Sequence, residues 1–229
     1  MLAGEGAVLI WNDIAPEGRD EFYAWHLGEH MPERVGTPGF RRGRRYIRDD
    51  AATAPEFFTL YETDTPQVLV GQDYLQRLNA PTPWTKSATQ AFRNTSRALT
   101  RVRASFGPGQ GGMLATLRFD IADERRAQVE RLLAEEVLPR VAALPRVTGA
   151  HLCLTDASAS GERTAESRDR TDILAAPERA VLVEGCGAAD VRAGVDAALA
   201  ALGDAVRGEP VVGVYRLEYC RLKTPWTAG

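Results

Sequence analysis

The chain has 229 residues and a formal net charge of −3, from 31 acidic and 28 basic side chains. That length can bury one large core or two smaller ones. Hydrophobic residues make up 44% of the chain, which is ordinary for a globular protein and argues against long disorder. Without a global positive field, a nucleic-acid partner or an anionic membrane surface is not expected.

The sequence carries no sign of export or of membrane insertion. Its three cysteines, Cys153, Cys186 and Cys220, are scattered and form no C-x-x-C pair, which is typical of reduced thiols in the cytosol. The N-terminus lacks the basic segment and apolar run of a signal peptide, and no stretch of about 18 apolar residues follows. These features predict a soluble, cytoplasmic protein with no membrane partner.

The first part of the chain predicts the element order β-α-β-β-α-β, a split βαβ unit. Alternating apolar residues indicate the strands, and helical spacing with Pro-Gly punctuation indicates the helices. The predicted elements are a strand at 7–11, a helix at 20–35, strands at 40–48 and 57–62, a helix at 68–78 and a strand at 98–105.

A glycine-rich linker at 107–112 separates this first half, residues 1–106, from a second half, residues 113–229, with the same order. A polar segment at 156–172 interrupts the second half and is expected to form a mobile surface loop. The elements predicted there are a strand at 113–119, a helix at 123–143, strands at 147–155 and 180–184, a helix at 188–202 and a strand at 211–222.

A constant offset of 107 residues aligns the two halves and indicates an internal duplication. A split βαβ unit leaves one face of its sheet uncovered, so two such sheets are expected to pack face to face as an intramolecular α/β barrel of the α+β class. Asp13 and Asp120 follow the first strand of each half and are predicted to be turn residues. The offset pairs Asp13 with Asp120, Glu29 with Glu136, Pro32 with Pro139, Val35 with Ala142 and Pro38 with Pro145.

The segment WHLGEHMPERVGTPGFRRGRRY at 25–46, after a strand ending in WND, resembles the EthD-like proteins of the dimeric α/β-barrel superfamily. The matching residues are Trp25, His26, His30, Pro32, Pro38, Gly39, Arg45 and Tyr46. The resemblance covers the first half well and the second half only at the level of the fold. It implies two tandem ferredoxin-like halves that form, within one chain, the barrel that single-domain relatives make by dimerising. The protein is therefore expected to be a monomeric pseudo-dimer or a homodimer.

His26 and His30 are the predicted catalytic residues. Four positions apart on a helix, they lie on the same face, and histidine titrates near neutral pH. Such a pair can take and return a proton during enolisation, cyclisation, isomerisation or dehydration. At the offset of 107, the second half carries Leu133 and Val137 instead, so the first half is the candidate site and the second half is scaffold.

Aromatic and basic side chains of the first half are predicted to bind the substrate. Flat apolar walls suit an aromatic, lactone or polyketide-like compound. A basic or phenolic side chain on the strand at 40–48, at position 44, 45 or 46, would hold a carboxylate or enolate oxygen. The predicted substrate-binding residues are Trp11, Phe22, Tyr23, Trp25, Arg45, Tyr46, Tyr61 and Trp84.

The leading hypothesis is a cofactor-independent enzyme of the isomerase, cyclase, dehydratase or monooxygenase type. The superfamily that the sequence resembles also includes haem enzymes, so the resemblance narrows the fold more than the function. Residues 26–30 spell H-x-x-E-H, a zinc-protease pattern, but Gly28 weakens that helix and no third ligand is marked, so no metal is expected. Three alternatives stay open: a non-catalytic metabolite-binding or stress-associated protein, a haem- or metal-dependent enzyme using His26 or His30, and a purely structural histidine pair.

Overall fold

The computed structural model describes residues 1–168 and 170–224. Residue 169 of the predicted polar loop and residues 225–229 of the predicted second half lie outside the described residues. The strands are β1 (Gly6–Ile14), β2 (Phe40–Arg48), β3 (Phe57–Thr63), β4 (Phe92–Phe106), β5 (Met113–Ile121), β6 (Val147–Thr155), β7 (Ile173–Leu174), β8 (Arg179–Gly185) and β9 (Val206–Leu222).

Helical segments alternate with these strands. The α-helices are α1 (Arg19–Trp25), α2 (Met31–Gly36), α3 (Gln72–Asn79), α4 (Pro83–Ala88), α5 (Arg126–Leu132), α6 (Leu138–Ala142), α7 (Ala157–Gly161) and α8 (Ala188–Leu202). Short 3₁₀ turns lie at Pro16–Gly18, Pro66–Val70, Thr89–Ala91, Asp123–Arg125 and Gly203–Ala205, and π turns lie at His26–His30 and Leu133–Val137.

Eight of the described strands close into an antiparallel barrel. Their order is β1-β3-β2-β9-β5-β8-β6-β4, and β4 returns to pair with β1. The strands of the first half meet those of the second at the β2–β9 and β4–β6 pairings. The short strand β7 pairs in parallel with the start of β4. The predicted α+β class with a closed antiparallel barrel is confirmed.

Most predicted elements are confirmed, but α4, α7 and β7 are not predicted, and two strands begin earlier than expected. Strand β4 begins at Phe92 rather than at residue 98, and β9 begins at Val206 rather than at residue 211. Helix α4 was not predicted, because the prolines around residue 82 favoured an irregular connection. Proline is nevertheless tolerated in the first turn of a helix, and the Thr82 hydroxyl caps α4 by accepting the Thr85 N–H.

A π turn replaces one α-helical turn in the middle of the predicted first helix. The Met31 N–H bonds to the His26 carbonyl, five residues back, and Pro32 next in the chain has no N–H to donate. The second half repeats this arrangement at the offset of 107, where the Leu138 N–H bonds to the Leu133 carbonyl ahead of a proline.

Further details recur at equivalent places in the two halves. Asp13 Oδ1 accepts the Glu56 N–H at 2.7 Å, and Asp120 Oδ1 accepts the Glu178 N–H at 2.8 Å. The two aspartates lie within β1 and β5 rather than in turns as predicted, and they hold the chain just before β3 and β8. Strand irregularities also correspond, at 11–13 and 118–120.

The barrel encloses a buried charged cluster. The Arg44 guanidinium donates to Glu184 Oε2 at 2.6 Å, to Glu62 Oε1 at 3.1 Å and to the Tyr46 hydroxyl at 2.8 Å. His151 Nε2 lies 3.3 Å from Glu184 Oε1. This cluster links β2 and β3 of the first half to β6 and β8 of the second.

The helices cover the outer face of the barrel. Helix α2 comes close to β2 because position 43 is glycine. A Cβ there would lie 2.3 Å from Met31 Sδ and 2.9 Å from Tyr61 Cε1. Among the described residues, no helix has the length and apolar content needed to cross a bilayer.

The polar segment 156–172 reaches the first half rather than projecting into solvent. The Glu166 N–H bonds to the Leu78 carbonyl at 3.1 Å, and the Ala165 N–H bonds to Asn79 Oδ1 at 3.0 Å, so this segment meets the C-terminal end of α3. Asp172 accepts the Thr95 hydroxyl at 2.6 Å at the start of β4. The segment therefore packs across the first half at the described residues.

Candidate functional site

A small pocket lies between the His26–His30 turn and the outer face of the barrel. It encloses about 60 Å³, roughly the volume share of two water molecules. Both histidines line it, which confirms that their side chains share one face, and their ring centroids are 5.5 Å apart. Aromatic walls are supplied by Phe22, Trp25, Tyr61, Tyr74 and Phe92.

The orientation of His26 is set by an arginine. Arg45 NH1 lies 3.2 Å from His26 Nδ1, and because a guanidinium can only donate, Nδ1 is the acceptor and the ring proton is on Nε2. Arg45 Nε in turn donates to Glu218 Oε2 at 3.1 Å, from strand β9. Burial, and then the Arg45 charge, hold the pKa of His26 well below its usual range, so the imidazole is neutral at pH 7.

His30 carries an unpartnered polar atom inside the pocket. Its ring packs on Trp25 with a centroid distance of 4.2 Å, and the side chain is 7% exposed. His30 Nδ1 has no hydrogen-bond partner among the described residues, and the nearby Tyr61 hydroxyl has none either. Burial, followed by the charges of Arg34 and of the other histidine, lowers the pKa of His30 strongly. Burial raises the pKa of the Tyr61 phenol, which stays protonated.

His30 Nδ1 and the Tyr61 hydroxyl thus have no protein partner among the described residues, and the centroids of their rings are 6.3 Å apart. A bound molecule with one acceptor and one donor would satisfy both. Neutral His30 can accept a proton at Nδ1, and Tyr61 can donate a hydrogen bond to a developing oxyanion. The arrangement is therefore suited to removing a proton from a carbon next to a carbonyl.

Four of the predicted binding residues gather around the histidines. Phe22, Trp25 and Tyr61 line the pocket, and the Arg45 guanidinium donates to His26 Nδ1. Tyr23 packs against Arg45 instead, with its ring centroid 4.5 Å from the guanidinium carbon.

The other predicted binding residues lie elsewhere. Trp84 sits on α4 at the surface, where its Nε1 donates to Glu21 Oε1 at 2.6 Å. Trp11 and Tyr46 point into the barrel, because alternate strand residues face opposite sides of the sheet. There Trp11 Nε1 lies 3.3 Å from Thr116 Oγ1, and Tyr46 joins the buried charged cluster. A binding role for these three residues stays a prediction.

Several residues of the pocket were not predicted. Arg34 lies four positions after His30, so the helical spacing that paired the histidines could have included it. Arg97 faces the pocket from β4, while Glu166 and Arg170 come from the polar segment of the second half. Nothing local in the sequence indicates the last two, because only tertiary packing brings them to the site.

The pocket adjoins a much larger groove of about 920 Å³, which the polar segment helps to line. The two cavities share Leu78, Thr95, Arg97, Glu166 and Arg170, which form the neck between them. In the second half, Leu133 stands at the position equivalent to His26, and it packs in the apolar core. Within residues 1–168 and 170–224, no group of three or more possible metal ligands comes together.

No protein-family model matches the sequence, and no curated protein sequence matches it either. Solved structures do share its fold. An anthrone oxidase-like protein superposes with a TM-score of 0.64 at 10% identity, over 97% of this chain and 94% of the other. A protein from Fusobacterium nucleatum named as a candidate monooxygenase gives 0.58 at 9% identity, over 97% and 96%. A chlorite dismutase-like protein gives 0.55 at 8% identity, over 94% and 96%. At these identities the likeness shows the fold alone.

Proposed function

We propose that the protein is a cofactor-independent enzyme that removes a proton from an enolisable ring compound, with the His26–His30 pair as its acid/base group. The observation that carries this proposal is the unpartnered His30 Nδ1 beside the unpartnered Tyr61 hydroxyl, both buried in one aromatic-walled pocket. His30 takes the proton from carbon, and Tyr61 donates to the enolate oxygen as charge develops there.

The surrounding residues support these roles. His26 presents its Nε2 proton while Arg45 and Glu218 hold the opposite side of its ring. Since both imidazoles are neutral, the pair can accept one proton and return it at another carbon, which is isomerisation. The same enolate would also serve a cyclisation, a dehydration or a reaction with dioxygen.

A deuterium-exchange measurement tests the proton transfer directly. Anthrone, named for one of the proteins that share the fold, has an acidic methylene next to its rings, and α-angelica lactone is an enolisable lactone. Each is incubated with enzyme in anaerobic D₂O, and loss of the exchangeable proton signal is followed by NMR. We expect exchange of at least one probe about 100-fold or more above the buffer rate.

The matched control replaces His26→Leu and His30→Val, the residues found at the offset of 107 in the second half. We expect the variant to fold and to exchange neither probe. Rapid exchange by the folded variant would refute the role of the histidines, and no exchange of either probe by the wild type would refute the enolisation chemistry. In air, conversion of anthrone to anthraquinone would consume one O₂ and release one water per methylene.

We also infer that the chain is an internally duplicated, EthD-like protein. The recurring π turns, Asp13 and Asp120 contacts and strand irregularities support this inference. The His26–His30 segment at 25–46 supports the EthD-like assignment, and one functional half with one scaffold half follows from the apolar residues at 133 and 137.

A further inference from the structure

Three of the side chains that line the pocket are arginines. Arg34, Arg97 and Arg170 line it against a single carboxylate, Glu166, while the two histidines are neutral. An uncharged ring compound does not explain why three guanidinium groups surround so small a cavity, since each loses hydration there.

Arg34 is the most deeply buried of these arginines, with 3% of its side chain exposed. Its NH1 donates to Glu33 Oε2 at 3.0 Å, and its NH2 is in direct contact with Glu166 Oε2. The second of these carboxylates comes from a different half of the chain. Glu166 therefore places a carboxylate on Arg34, at the neck between pocket and groove.

Arg97 and Arg170 differ in how their charge is neutralised. The Arg170 guanidinium donates to both Asp172 oxygens, at 2.9 and 2.6 Å. Arg97 NH2 donates to the Tyr74 hydroxyl at 3.0 Å, and no carboxylate of the described residues lies within 4.0 Å of its guanidinium. The neck thus contains one arginine, Arg97, without an acidic partner in the described part of the chain. In the adjoining pocket, Arg34 is paired with Glu166 of the polar segment.

Building on the proposed function, we propose that the substrate carries a carboxylate, which replaces the Glu166 side chain on Arg34 and is also bound by Arg97. The reacting end of the substrate then lies toward His30 Nδ1 and the Tyr61 hydroxyl, the two polar atoms without partners. The Glu166 carboxylate occupies the position that the substrate carboxylate takes when it binds. The site therefore binds an acid more tightly than a neutral ring compound of the same shape.

Replacement requires only the side chain of Glu166 to move. Its backbone N–H is held by the Leu78 carbonyl and that of Ala165 by Asn79, so the main chain can stay anchored. The Glu166 side chain is 16% exposed and borders the 920 Å³ groove. Rotation into this groove leaves a charged carboxylate in water and enlarges the pocket by the volume of the side chain.

Binding of benzoate and of benzamide, which have nearly the same shape but differ in charge, tests the proposal by calorimetry. In Glu166→Ala, the internal competitor is removed, and we expect the Kd of benzoate to fall by about tenfold or more while that of benzamide changes by less than about threefold. The matched control is Glu162→Ala, which removes the same charge from the same segment at a position that borders only the groove. We expect it to change neither Kd.

Equal improvement for both probes in Glu166→Ala, or no improvement for benzoate, overturns the proposal. If that variant fails to fold, Arg97→Gln decides the question: we expect benzoate to bind about fivefold or more weakly and benzamide to be unaffected, and an unchanged benzoate Kd overturns the carboxylate site. Acid-selective binding without deuterium exchange would instead leave this site standing and refute the proposed catalysis.

Discussion

Acidification should destabilise the protein through the buried histidine pair. Burial lowers the pKa of His26 and of His30, whereas in the unfolded chain both titrate near the ordinary value of about 6.5. Below that pH the unfolded chain binds protons that the folded chain does not, so the free energy of unfolding falls as the pH falls. At pH 5.5, one pH unit below the unfolded pKa, each histidine contributes a loss of about 1.4 kcal/mol, or about 3 kcal/mol for the pair.

Urea unfolding at pH 7.5 and pH 5.5 measures this loss, with the His26→Leu/His30→Val variant as the reference. His151 also has a lowered pKa, but it is present in both proteins and its contribution cancels in the difference. We expect the wild type to lose about 3 kcal/mol more than the variant between the two pH values. An equal loss in the two proteins would show that the histidines are protonated freely in the folded state, and would contradict the lowering of their pKa by burial.

Three substitutions test other parts of the structure. Tyr61→Phe removes a buried hydroxyl without a partner, so we expect thermal unfolding to show unchanged or higher stability, by up to about 1 kcal/mol, together with slower deuterium exchange. Arg44→Met leaves buried Glu184 with only a histidine partner, and urea unfolding should show a loss of about 3–5 kcal/mol; a loss below about 1 kcal/mol would contradict the importance of the cluster. Glu218→Gln weakens the support of His26, and we expect kcat for exchange to fall while the melting temperature changes by less than about 3 °C.

The sequence predicts several elements well because turn residues mark their ends. The limits of β2, β6 and α8 agree with those expected from periodicity and turn residues. The π turn at His26–His30 could have been suspected from Pro32 inside a helical pattern, but a proline predicts only that a hydrogen bond is lost, and not which irregular turn replaces it.

The candidate site was predictable only where its residues lie close together in the sequence. Helical spacing brings His26 and His30 to one face, and strand alternation separates Arg45 from Tyr46, but alternation does not say which side of β2 faces the helices. Glu166 could not be found at all, because its position depends on how a 23-residue connection between β6 and β8, residues 156–178, crosses to the other half.

Because the connection between β6 and β8 lies outside the barrel, its residues can change while the barrel strands stay the same. The barrel strands and the histidine turn are fixed by hydrogen bonds and packing, whereas Glu166 and Arg170 belong to a connection whose length and composition the barrel does not constrain. Relatives that differ mainly in this connection would keep the proposed proton-transfer residues, and we expect them to accept different molecules. Exchanging the segment between β6 and β8 is thus the natural starting point for redirecting the protein to a new substrate.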